Sequence, residues 1–116
     1  MVNTQLVRSP SESTMELIKG RMGKRARDLL EEMKVNFDCV GLVQGTMVEM
    51  IAAADIADKA SLVHVTELLG LCPQHFSMLA VFGEMEAVST ALEAIDKQLG
   101  QGKQTYTRAT PTLEIK

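Results

Sequence analysis

Thiol and imidazole chemistry in this chain is limited to Cys39, Cys72, His64 and His75, and two of these four meet in one short stretch, Gly70-Leu71-Cys72-Pro73-Gln74-His75. Cysteine thiolate suits zinc, copper(I) and iron–sulfur clusters, and a proline directly after a ligating cysteine occurs in some cluster motifs. Gly70 supplies turn freedom, and Pro73 fixes the turn and removes a donor. Gln74 offers an amide to a sulfur or to the backbone. On spacing alone Cys72 is open to several readings: a ligand, a small buried hydrophobe, an inert loop residue, or a reactive thiol of low pKa. His75 is the one base beside it, and a histidine at a strand start is more often a surface residue than a ligand. Clusters and structural zinc sites usually take four protein ligands. One chain brings one cysteine to this stretch, so ligation requires several copies to meet at Cys72.

The remaining candidates are weaker. Cys39, next to Val40, reads as core, and His64 has no partners with which to form a zinc set. Glu84 and Glu86 stand at a helix start, where they serve the helix dipole. There is no HExxH, no Walker loop, no dinucleotide fingerprint and no Ser-His-Asp order, so the usual hydrolytic, phosphoryl-transfer and hydride-transfer signatures are missing. The expectation is a protein that is not an enzyme.

The elements that must position the stretch are legible on both sides of it. Leu62–Leu69 (LVHVTELL) alternates like a strand, and Phe76–Phe82 (FSMLAVF) is a nearly all-apolar strand, which makes Gly70–His75 the loop between them. Upstream, Asn36–Gln44 is a strand candidate. Thr46 with Glu49 three residues on forms a capping box for a helix over Met47–Ala60. Downstream, Gly83-Glu84 opens a helix over Met85–Leu99 with Val88, Ala91, Leu92 and Ile95 in the buried stripe, closed by Gly100 at C′. Lys103–Ala109 is a plausible exposed strand, and Pro111 marks Thr110–Lys116 as an edge or disordered segment. At the other end, Ser9-Pro10-Ser11 is a turn signal, and Thr4–Lys19 reads as a β-hairpin. Lys24–Met33 reads as a short amphipathic helix, with Ala26, Leu29, Leu30 and Met33 at helical spacing. Six of the twelve basic residues lie in Lys19–Lys34, interleaved with Asp28, Glu31 and Glu32 and without aromatics for base stacking. A solvated or subunit-facing helix accounts for that run better than nucleic-acid binding. The order from Asn36 onward gives a ferredoxin-like α/β sandwich of the α+β kind, both helices on one face of an antiparallel sheet. The chain divides into an N-terminal hairpin and helix over 1–35 and a core over 36–116.

Composition agrees with one domain of 116 residues, 46 % hydrophobic and 3 % aromatic, whose core is built from Ala, Val, Ile, Leu and eight Met. A net charge of −3 gives no attraction to nucleic acid or anionic membranes. Two cysteines make no disulfide framework. No signal-peptide core opens the chain, and no run approaches the ~20 apolar residues of a membrane span. The expected home is cytoplasmic.

Gly45–Ser61 (GTMVEMIAAADIADKAS) with its Lys59-Ala60 pair, then Leu62–Val65, then Phe76–Glu84 (FSMLAVFGE) leading into Ala87-Val88, resemble the bacterial microcompartment shell domain (BMC domain) over about Asn36–Gly100. The extra N-terminal region resembles the circularly permuted subclass. There, six hairpins are expected to form a small β-barrel over one mouth of the hexamer pore; Lys103–Leu113 offers an alternative last strand for an unpermuted domain. The resemblance implies a homo-hexamer that packs with other shell proteins and lines its pore with the Gly70–His75 loop. Gly70-x-Cys72-Pro73-Gln74 is similar to a motif of permuted shell proteins from glycyl-radical microcompartments of the propanediol-processing type, implicated in iron–sulfur binding. That implies cofactor-binding roles for Gly70, Cys72, Pro73 and Gln74, with Cys72 the metal ligand of a [4Fe–4S] cluster at the six-fold axis. Encapsulated glycyl-radical enzymes or their activase are the implied further partners. Two alternatives stand beside this reading: a purely structural tile, and a small-molecule-binding regulatory domain of the same sandwich topology.

Overall fold

The computed structural model describes residues 2–33, 38–69 and 76–100. Its elements run β1 (Asn3–Arg8), α1 (Glu12–Gly20), α2 (Lys24–Met33), β2 (Cys39–Thr46), α3 (Met47–Ala60), β3 (His64–Leu68), β4 (Phe76–Gly83) and α4 (Met85–Leu99). The four strands form one antiparallel sheet in the order β1-β2-β4-β3. The α+β class, the antiparallel sheet and the pairing of α3 and α4 on one face agree with the sequence reading.

The register explains why β2 and β4 are nearly continuous apolar runs. Cys39, Val43, Leu79 and Val81 point to the α3/α4 face, where they pack with Met50, Ala53, Ala57, Val88, Ala91, Leu92 and Ile95. Their alternating neighbours Val40, Ala80 and Phe82 point to the other face and pack with Ile18, Met22 and Leu30 from the α1–α2 segment. A strand clad on both faces has no polar side to show, so strict alternation is lost. The alanines of α3 and α4 let the helices approach the sheet and each other closely.

Two N-terminal expectations are corrected here. Thr4–Lys19 is not a hairpin: β1 pairs with β2 in the main sheet, from Asn3↔Gln44 to Arg8↔Cys39, and Glu12–Gly20 is a helix. Ser11 caps that helix by accepting from the Thr14 N–H at 3.2 Å, Glu12 sits in its first turn and Lys19 in its last, each favourable to the dipole. Its inward residues are Met15, Ile18 and, one turn on, Met22, whereas Leu17, which lent the segment its apparent alternation, is 73 % exposed. The barrel expected at the hexamer axis therefore has no hairpin to be built from among the described residues.

Boundaries elsewhere move little. The second strand begins at Cys39 and runs on to Thr46, and α3 starts on the expected capping box, with Thr46 Oγ1 accepting from the Glu49 N–H at 3.2 Å and Glu49 Oε1 accepting from the Thr46 N–H at 2.9 Å. Gly100 closes α4 as its C-cap at φ −75°, not as a left-handed residue; a side chain there would strike the Asp96 carbonyl, which accepts the Gly100 N–H. The expected strand Lys103–Ala109 and the tail Thr110–Lys116 lie outside the described residues.

Candidate functional site

Gly70, Cys72, Pro73, Gln74 and His75 lie outside the described residues, and the structure fixes the frame that holds them. β3 delivers the chain to the loop at Leu69 and β4 takes it up at Phe76. The two strands pair from His64↔Phe82 to Leu68↔Met78, so the loop sits at the sheet end that also carries the end of β2, where Thr46 pairs with Phe76.

Both roots of this loop are anchored. Leu68 forms an isolated bridge with Met22, and the Leu69 N–H donates to the Arg21 carbonyl at 2.6 Å, tying the incoming side to the α1–α2 corner. On the outgoing side the Ser77 hydroxyl donates to Glu67 Oε2 across the strand pair at 3.1 Å. Proline and glycine chemistry within the loop thus starts from two fixed points.

Beside this end, between α3 and β3, runs an apolar groove of about 360 Å³ lined by Met47, Met50, Ile51, Ala54, Val65, Thr66, Glu67, Ser77 and Leu79. Met47 and Ile51 are more than half exposed. The sequence reading assigned this side of α3 no more than a general apolar face. The signal it passed over was the clustering of Met47, Val48 and Ile51 within one turn, more large apolar surface than one buried stripe requires.

The other sequence candidates separate from the loop. Cys39 is 1 % exposed, a free thiol in the core. It pairs with Gly83 at the far end of β2, seven residues and therefore roughly 23 Å from Thr46 at about 3.3 Å per residue. It is not available to share a ligand set with Cys72. His64 is half-buried against Phe82, ring centroids 6.2 Å apart and planes at 34°. Among the described residues no group of three or more His, Cys, Asp or Glu side chains could hold a metal ion.

Ion pairs on the helices are solvated. Lys24 pairs with Asp28 at 2.9 Å and Lys59 with Asp55 at 2.8 Å, both i,i+4 on exposed helix faces, and the Asp55 hydrogen bond and charge raise the Lys59 pKa. Glu49 is the informative carboxylate. Partial burial pushes its pKa up, but hydrogen bonding to the chain's amino terminus and to Thr46 outweighs this and holds it below the usual value. A depressed carboxylate contributes stability that is present above the unfolded pKa of about 4.3 and is lost as pH falls through the lower folded value. Glu49→Gln keeps an acceptor for the capping box and removes the charge. Urea midpoints should be lower for the variant at pH 6 and converge with wild type near pH 3; a constant gap across that range would assign the effect to the hydrogen bond alone.

The family model described as "BMC domain" matches residues 40–111. Among solved structures, the chain is similar to the ligand-free GrpU microcompartment shell protein from Pectobacterium wasabiae, with 30 % identity over 81 % of this chain and 99 % of that one and a TM-score of 0.65. It is likewise similar to the ligand-free GrpU microcompartment shell protein from Clostridiales bacterium 1_7_47FAA, with 29 % identity over 86 % of this chain and 94 % of that one and a TM-score of 0.60. Among curated proteins none matches. No described helix is long and apolar enough to cross a membrane.

Proposed function

Since the chain belongs to the BMC domain family, we propose that it builds a circularly permuted hexameric tile of a microcompartment shell and gathers the Cys72 thiolates of its copies around one iron–sulfur cluster. That it is a structural microcompartment shell protein, acting in oligomers with other shell proteins and not as an enzyme, follows from the family and from the two shell-protein neighbours. This sets aside the regulatory-domain alternative. The hexamer, the permutation and the cluster are the finer part of the reading.

Three observations support it. The outer position beside β2, which a βαββαβ unit fills with its last strand, is filled here by the first strand of the chain, β1. The Gly70-x-Cys72-Pro73-Gln74 sequence has the thiolate, the turn glycine and the proline suited to cluster ligation. The loop that carries it leaves the sheet at one end, clear of the buried Cys39, so the thiolates come one per copy. Of these, the loop sequence carries the cofactor assignment. Gly70 and Pro73 would shape the turn, Cys72 would bind iron, and the Gln74 amide would donate to a cluster sulfur or to the backbone. A bound cluster supplies one-electron chemistry or cluster delivery, and encapsulated glycyl-radical enzymes or their activase are the partners that chemistry fits, in a microcompartment of the propanediol-processing type.

Anaerobic purification of wild type and Cys72→Ser, with visible spectra, iron and sulfide assays and mass by light scattering, tests the reading. A brown, iron- and sulfide-containing wild type and a colourless Cys72→Ser, both hexameric, are expected. Colourless hexamers of both after reconstitution would leave the plain tile, and monomers of both would remove the hexamer as well.

A further inference from the structure

We propose that the C-terminal segment Thr112–Ile115 of the same chain docks as a fifth, antiparallel strand on the open edge of β3 and seats Leu113 and Ile115 in the groove under α3. This rests neither on the cofactor nor on the hexamer.

The edge itself is the first observation. β3 is the last strand of the sheet, and its outer side is taken only at its end, by Met22 opposite Leu68 and by the Arg21 carbonyl on the Leu69 N–H. Backbone groups alternate in direction along a strand. The N–H and C=O of Val65 and the N–H of Glu67 therefore point to the same outer side as the Leu69 N–H, and among the described residues no backbone partner is recorded for them there, whereas the Glu67 C=O faces Gly23 in the Met22–Leu68 bridge. An open edge next to an exposed apolar groove is a surface that folded proteins cover or pair.

The second observation is fit. Thr112-Leu113-Glu114-Ile115-Lys116 alternates apolar and polar, which puts Leu113 and Ile115 on one face at the spacing of Glu67 and Val65. On β3 that face is the one turned to α3, where Val65 packs against the Met50, Ala53 and Ala57 cluster, while the groove itself touches Val65, Thr66 and Glu67 in turn. Thr112 and Glu114 would then share the other face with Thr66. Pro111 sits where an incoming strand has no need of an N–H. The segment beyond Gly100 carries Lys103, Arg108 and Lys116 against the one acid Glu114, and Glu67 lines the groove, so the charges are complementary.

The third is reach. α4 runs back from Gly83 to the groove end of the sheet, where the Thr4 hydroxyl donates to the Asp96 carboxylate at 3.1 Å and 3.3 Å. Packed helices lie about 8–10 Å apart, so the groove on the far side of α3 is on the order of 20 Å from Gly100. Residues 101–111 can span up to about 36 Å when extended. A tether of this length holds the segment at roughly millimolar effective concentration, which favours its own groove over that of another copy.

Amide hydrogen exchange on the full chain tests the docking. Leu113→Glu/Ile115→Glu should speed exchange of the Val65 and Glu67 amides at least tenfold and leave those of Val43 and Val81 in the inner strands unchanged. Equal exchange at Val65 and Glu67 in both proteins overturns the proposal. A second measurement identifies the occupant: Glu67→Cys/Leu113→Cys in a Cys72→Ser background should oxidise to an internally closed monomer. A disulfide-linked dimer would assign the groove to the tail of a second copy and overturn docking within one chain, and so would failure to crosslink.

Discussion

Phe82→Ala is expected to cost about 3–5 kcal/mol, enough to bring a domain of ordinary stability close to unfolding. Phe82 is fully buried on the α1/α2 face of the central strand β4. It stands between Val40 on β2 and His64 on β3, its register partners, and its ring is the largest fully buried side chain of the chain's described part. Around it Ile18, Met22 and Leu30 come from the α1–α2 segment, which they hold to the sheet together with Met15 and Ala26. Truncation to alanine removes the surface they pack on, and the site collapses poorly because a sheet does not close up under a missing ring. At fixed protein concentration, which matters for an oligomer, urea unfolding should show the midpoint lowered by at least about 1 M for a slope of about 1–3 kcal/mol/M. Leu17→Ala, on an exposed side chain of α1, should move it by almost nothing. A loss below about 1 kcal/mol for Phe82→Ala would mean that α1 and α2 do not bear on the sheet.

Gly41→Val should be nearly as damaging, and for the opposite reason. Gly41 lies in β2 beneath α4, and a Cβ built there meets Leu92 Cδ2 at 3.0 Å and Cδ1 and Cγ at 3.1 Å. Alanine would need Leu92 to yield by a few tenths of an ångström. Valine adds two methyl groups beyond that point and must lift α4 or force Leu92 from its rotamer, a cost of about 1–3 kcal/mol. Leu92→Ala alone opens a cavity worth about 2–5 kcal/mol. The two together should cost less than the sum of the singles by more than about 1 kcal/mol, because the valine fills what the leucine leaves. Strict additivity in the double-mutant cycle would place the strain of Gly41→Val somewhere other than Leu92.

Both predictions come from packing the sequence showed unevenly. The core from Cys39 to Leu99 was legible because local signals agreed with tertiary ones: Thr46 and Glu49 cap α3, and Val88, Ala91, Leu92 and Ile95 keep helical period along α4. The second helical layer was harder to see. Ser11, Glu12 and Lys19 mark a helix start and stop, yet Met15, Leu17 and Ile18 next to a proline turn also satisfy a loose strand pattern, and only burial separates inward Ile18 from outward Leu17. The unbroken apolar runs of β2 and β4 already implied cover on both faces; nothing local said which segment supplied it. The candidate site shows a deeper limit. The ligand set proposed above, one cysteine from each of several chains, would not be a pattern along any one of them, so Cys72 is conspicuous only for being the one cysteine of the Gly70–His75 stretch.

The anchoring of that loop bears on how such a set is assembled. Leu69 is held by Arg21, Leu68 by Met22, and Ser77 by Glu67, so both ends of the Gly70–His75 connection are ordered when the monomer folds. Closing a loop costs conformational entropy that grows with the length left free, and the contacts at Leu69 and Ser77 fix the two ends of that length. On the proposed reading, bringing copies of Cys72 to a common point would then be chiefly a matter of translational and rotational freedom lost between subunits, and would scale with protein concentration.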